Sequence, residues 1–208
     1  THFFIGTAAA LAVLQPQTVP ALVAGAGAAA IGGLISDIDV GTSQAHRDAD
    51  KITTATVAVA VLTILAEYKL NLGIYRRLTS DSSVLRLLAG TAAFLLICAY
   101  GKQQPHRSFM HSFAALALLT ACVDIIYPDV SAYFAVGFLS HLVLDFFNRK
   151  PEKLFWPWKK GFCLGLCSAR GLVNRALLGC GMVSLAVILV LSAPAGRLMA
   201  KIMRAIYG

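Results

Sequence analysis

Four histidines and three aspartates stand out in a chain that is otherwise oily: His2, Asp37, Asp39, His106, His111, His141 and Asp145. Imidazole nitrogens and carboxylate oxygens are the donors that hold zinc, and carboxylates also suit magnesium or manganese. The most compact pair lies in "SHLVLDFF" at 140–147. His141 and Asp145 are four residues apart, which on a helix leaves them about 40° apart on one face, so both can grip one ion. A buried His–Asp hydrogen bond would use the same two residues without a metal. In "GGLISDIDVGTS" at 32–43, Asp37 and Asp39 close an apolar run. Residues two apart do not share a helix face, yet in a loop both carboxylates can turn to one centre, as ligands or with one as general base. A helix cap or an Asx turn is the plainer use of such a pair.

In "HRSFMHS" at 106–112, two histidines flank an arginine's neighbourhood. Their spacing puts them about 140° apart on an ideal helix, so one continuous helix would not aim both at a point. Pro105 predicts a helix start there, with His106 in the entering loop or first turn and His111 one turn further in. Arg107 could offer a two-pronged fork to an anionic substrate group or pair with an aspartate. Ser108 and Ser112 could cap the helix or hydrogen-bond a ligand, Ser112 being the candidate substrate contact. No G-x-S-x-G context makes either a nucleophile. His46, in the polar stretch "GTSQAHRDADK", is an additional candidate ligand or proton shuttle, or a solvated loop residue.

The elements that position these groups follow from composition. Of 208 residues 58% are apolar and 13% charged, against about a quarter charged in soluble domains, and mean hydropathy is +0.72. That indicates a single all-α domain over 1–208, a polytopic bundle of about five to seven membrane-embedded helices. Apolar stretches run over 2–14, 19–36, 52–66, 84–100, 111–126, 131–147 and 177–193. Most are slightly short of the ~20 residues that span a hydrocarbon core. The Gly/Ala-rich "ALVAGAGAAAIGGLI" would let a neighbouring helix approach closely. No basic segment precedes the first stretch, so an uncleaved helix is the expected insertion signal.

The net charge of +8 comes without a basic helix or aromatic–basic interleaving, which excludes nucleic acid as the partner and points to topology and anionic headgroups. Five cysteines sit mostly in or beside apolar runs, where they act as small hydrophobes. "CLGLC" has three intervening residues and no second pair, unlike a zinc motif. Threading the stretches alternately across a bilayer brings His2, Asp37, Asp39, His106, His111, His141 and Asp145 to one side without adjusting boundaries. The same side collects eleven of eighteen basic residues, which makes it the cytoplasmic one. "LFWPWKK" at 154–160 reads as an aromatic belt with cationic anchors, or as a headgroup contact or lid through Trp156.

Taken in order, the initial TH, S-D-I-D, H-R-S-x-x-H-S, S-H-x-x-x-D and L-F-W-P resemble the YdjM family of inner-membrane proteins described as metal-dependent hydrolases. The resemblance covers about residues 1–180. It implies that His2, Asp37, Asp39, His106, His111, His141 and Asp145 are the metal or catalytic positions, and that the chain resides in a bacterial inner membrane. The motif style is distantly similar to zinc-dependent phospholipases C, which implies an all-helical site and suggests phosphoester chemistry. Departures from the family pattern are Ser36 for a proline, Val40 for a histidine, Ser108 for a glycine, and Asn174 near a position where many members carry a glutamate.

The expected function is hydrolysis of a lipid or lipid-linked ester or phosphoester at the membrane interface, with one or two divalent ions, zinc first, making a water acidic near neutral pH. Asp37 or Asp39 would move the proton and Arg107 would hold an anionic group. The rival is a non-enzymatic metal binder or transporter, whose sites usually lie near the bilayer midplane on broken helices.

Overall fold

The computed structural model describes residues 1–41, 51, 82–168 and 171–207. The 52–66 stretch and His46 lie outside these. Among the described residues the chain is all helical apart from two isolated bridges, Asn148 with Cys167 and Glu152 with Phe162. The helices are α1 (His2–Leu14), α2 (Val19–Ile35), α3 (Ser82–Lys102), α4 (Phe113–Ile126), α5 (Pro128–Phe146), α6 (Leu172–Leu191) and α7 (Ala193–Tyr207). Short 3-10 turns, Ser36–Asp39 and Phe109–His111, follow α2 and precede α4.

α2, α3, α5 and α6 are long and apolar enough to cross a membrane, whereas α1 and α4 have 13 and 14 residues. At 1.5 Å per residue these two reach only about 20 Å, short of a hydrocarbon core of ~30 Å. The outer faces of the long helices α3 and α6 are what a lipid-facing bundle shows: Leu96 is 71% exposed and Val190 72%. α7 differs, with exposed Arg197, Lys201 and Arg204 on one side and exposed Met199 and Met203 on another. That is the pattern of a helix lying in a membrane surface.

α5 is the central element, packing on α1, α2 and α4. Its buried residues Phe134, Phe138, His141, Leu142 and Asp145 follow the helical period, so the His-x-x-x-Asp pair continues a hydrophobic stripe to the helix end. Pro128 starts α5 where a missing N–H is harmless. The α2–α5 contact is backbone to backbone. A methyl at Gly32 would collide with the Phe134 carbonyl, and one at Gly137 with the Ala29 carbonyl. The Gly/Ala run is therefore spent on close helix approach. Cys98 and Cys122 are buried thiols, and the five cysteines form no disulfide.

Because α2 and α5 carry both halves of the polar cluster, their separation sets its geometry. Gly137→Val should destabilise the protein by about 1–3 kcal/mol or more through overpacking. A thermal melt in detergent checks this, and bound metal should fall with it.

Candidate metal centre

His141 is fully buried, and its Nδ1–H donates to the Gly33 carbonyl at 2.9 Å. A carbonyl can only accept, so Nε2 keeps its lone pair and faces the cluster. One turn on, Asp145 Oδ1 accepts from Asn148 Nδ2 at 2.8 Å and Oδ2 pairs with Arg107 Nη2 at 2.8 Å. His141 Nε2 stands 3.9 Å from Asp145 Oδ2. The i, i+4 pair thus shares one face as its spacing predicts.

α2 tightens at Ser36 into a 3-10 turn, which carries Asp37 and Asp39 in place of the expected loop. The Asp39 side chain is buried, with Oδ1 accepting from His106 Nδ1 at 2.9 Å and Oδ2 from the Arg107 backbone N–H at 3.2 Å. Asp37 remains one-third exposed, its Oδ1 3.8 Å from His141 Nε2 and 3.9 Å from His111 Nε2.

The 106–112 stretch corrects the helix start expected at Pro105. Ser108 N–H bonds back to the Pro105 carbonyl as a turn, Arg107 adopts a left-handed φ of 62°, and α4 begins only at Phe113. The reason is Ser112, which accepts from the Ala115 N–H at 3.2 Å as N-cap and donates to the Phe109 carbonyl at 2.6 Å. His111 consequently precedes the helix instead of lying a turn inside it. Its Nε2 sits 3.4 Å from His141 Nε2 and 3.5 Å from Asp145 Oδ2, and its Nδ1 3.4 Å from Asp39 Oδ2. His2, at the start of α1, stacks on His141 with ring centroids 4.0 Å apart and brings Nε2 to 3.6 Å from Asp145 Oδ1. All seven residues singled out for chemistry thus meet at one end of the bundle.

The other candidates fall around this cluster. Arg107 donates through Nη1 to the Lys150 carbonyl as well as through Nη2 to Asp145. Ser108 is buried behind the turn. Trp156 packs 5.1 Å from Phe109 and 6.3 Å from Tyr100, roofing the α3–α4 junction. Asn174 lines a cavity of about 140 Å³ beside His2, together with Asn148 and Cys167.

Two donor groups among the described residues could each hold an ion: His2, His141 and Asp145, and Asp37, His106 and His111. The charges fit a divalent cation. Asp37, Asp39 and Asp145 gather in one largely buried place, where the Arg107 guanidinium pairs with Asp145 and a divalent cation would offset further carboxylate charge. The histidines that bond Asp39 and Gly33 are oriented as metal-bound imidazoles usually are, by a carboxylate or a carbonyl on the far nitrogen.

His111 lies outside the spans. Burial pulls its pKa down, but the carboxylates of Asp145 and Asp39 beside it outweigh this and raise it to about 9. A metal must then displace a proton from His111, because only the neutral ring binds. Zinc affinity should therefore climb about tenfold per pH unit from pH 6 to 8 on this group's account. Calorimetric titration across that range checks it, and a flat profile would contradict it. Asp39→Asn, which leaves every direct donor of the two groups in place, should weaken zinc binding by about 10–100-fold. The same titration measures that loss.

Glu152 is the residue that sequence reasoning missed. It is 0% exposed, and neither carboxyl oxygen has a hydrogen-bond partner. Burial pushes its pKa up to about 8; His111 and Arg107 pull it down, while Asp145 adds to the rise. The segment after α5 folds back so that Glu152 exchanges backbone bonds with Phe162 at 3.0 and 2.9 Å, and Lys153 N–H bonds the Arg107 carbonyl at 3.0 Å. In "RKPEKLFWP" a glutamate among lysines reads as a solvated charge, and only this fold-back buries it.

An α-helical bundle with a His/Asp centre at the ends of its membrane helices defines a class of integral membrane protein. The family model described as YdjM inner membrane protein matches residues 1–206, and the chain belongs to that family. No curated protein and no solved structure matches it.

Proposed function

We propose that this protein is a metal-dependent hydrolase that cleaves an ester or phosphoester of a lipid or lipid-linked substrate at the membrane interface. The observation that carries the reading is the convergence of His2, Asp37, Asp39, His106, His111, His141 and Asp145 at the ends of membrane helices, with Asp37 the most open of the three clustered aspartate side chains. A bound divalent ion, zinc by the donor set, supplies a Lewis acid that polarises the scissile group and makes a water acidic near neutral pH.

The chain's own residues divide the remaining work. Asp37 is the accessible carboxylate that takes the proton from water as its oxygen bonds to the acyl carbon or phosphorus. Glu152, buried within electrostatic reach of His111, Asp145 and Arg107, holds a proton for the leaving oxygen when the old bond breaks. Arg107 fixes Asp145 and ties the 149–153 segment to the centre. Arg149, Lys150, Lys159 and Lys160 are exposed on the segment that closes the same end of the bundle, where phosphate headgroups would meet them. Placement at helix ends, away from the midplane, favours a hydrolase over a transporter.

Lipids from cells expressing the wild type, Asp145→Ala or Glu152→Gln test this. One lipid class should be depleted, with its cleaved product accumulating, in the wild type only. Glu152→Gln should retain metal yet lose about 10²–10⁴-fold in rate, the usual worth of a positioned proton donor. Identical lipid profiles in all three would favour a non-enzymatic metal binder.

A further inference from the structure

The donor atoms at the middle of the cluster are spaced like the ligands of one ion. Around a tetrahedral zinc with bonds of about 2.0–2.2 Å, neighbouring donors stand about 3.3–3.6 Å apart. His111 Nε2 and His141 Nε2 are 3.4 Å apart, and His111 Nε2 lies 3.5 Å from Asp145 Oδ2 and 3.9 Å from Asp37 Oδ1. His141 Nε2 lies 3.8 Å from Asp37 Oδ1 and 3.9 Å from Asp145 Oδ2. Closing by a few tenths of an ångström turns the His111, His141 and Asp145 atoms into a ligand set, with the Asp37 oxygen beside the remaining position.

Ring orientation separates these histidines from His2. An imidazole lone pair lies in its ring plane, so two rings can meet at one ion only if their planes cross near it. The His111 and His141 planes are 70° apart and can do so. His2 stacks on His141 at 24° with centroids 4.0 Å apart, which aims the two lone pairs along nearly parallel paths. The carboxylate oxygen nearest to His2 is Asp145 Oδ1, which already accepts from Asn148, and not the Oδ2 that faces His111 and His141. His106 is more open, at 41% side-chain exposure, and lies with Asp39 on the Nδ1 side of His111, whereas Nε2 faces His141 and Asp145.

Asp39 is already committed to His106 and the Arg107 backbone.

We infer that the centre holds a single divalent ion, ligated by His111, His141 and Asp145, with Asp37 beside its open position and His2 and His106 outside its ligand sphere. This rests on the metal centre of the proposed function but not on hydrolysis. Asp37 stands at the open position through which the ion is reached, its side chain one-third exposed. His2 supports the His141 ring from one side, and His106 stands on the open side, bonded to Asp39.

The test is metal content by mass spectrometry of full-length protein in detergent, loaded with zinc and desalted, for wild type, His2→Ala, His106→Ala, His141→Ala and Asp145→Asn. About one equivalent is expected in wild type, His2→Ala and His106→Ala, and a drop of tenfold or more in the other two. Cobalt-loaded wild type and His2→Ala should share the intense visible absorption of a four-coordinate ion, which keeps the inference testable if His141→Ala fails to fold. Two equivalents in the wild type, or loss of the ion in His2→Ala, would overturn the single-ion centre while leaving a metal enzyme standing. No metal in the wild type would overturn both. One equivalent with no change in any lipid supports the centre and removes the hydrolase.

Discussion

Three carboxylates gathered with one guanidinium and three buried or half-buried histidines at one end of a membrane bundle form an imbalance of charge that protons or a cation must offset. Every polar contact described there manages that imbalance. Arg107 answers Asp145, His106 and the Arg107 backbone answer Asp39, and Asp37 is left at the edge where water softens its charge. His111, pushed to about 9, takes a proton where an ion would otherwise sit. Protons and metal thus compete for one place, and that competition is the simplest physical description of the centre.

The membrane shapes the rest. α5 packs Phe134, Phe138 and Leu142 into the core, and α2 and α5 approach backbone to backbone at Gly32, Gly137 and Ala29. Such contacts position backbones closely. Here they bring the Gly33 carbonyl against His141 and so fix which imidazole nitrogen faces inward. Short α1 and α4 start at the polar end, and their lengths let His2 and the 106–112 turn sit at the level where α2 and α5 finish.

Much of this was legible in the sequence because helical periodicity carries it. The His-x-x-x-Asp stripe, the apolar stretches and the gathering of seven residues on one side follow from spacing and alternation, and the matched family agrees with the ordered motifs. What was not legible lies where no period runs. The start of α4 depends on whether Ser112 or Pro105 sets the cap, and local hydrogen bonds decide it. Glu152 is buried by a fold-back held by two bonds to Phe162, far from any helix pattern. The division of the histidines into ring pairs that can and cannot converge needs interplanar angles, which residue spacing does not contain.

X-ray absorption at the zinc edge on the purified protein is the most direct measure of whether these residues form a metal centre. The expected spectrum shows only nitrogen and oxygen neighbours at about 2.0–2.2 Å with the outer-shell scattering of two imidazoles. Sulfur neighbours at about 2.3 Å, which Cys163 and Cys167 would supply, or the absence of bound zinc, would contradict it.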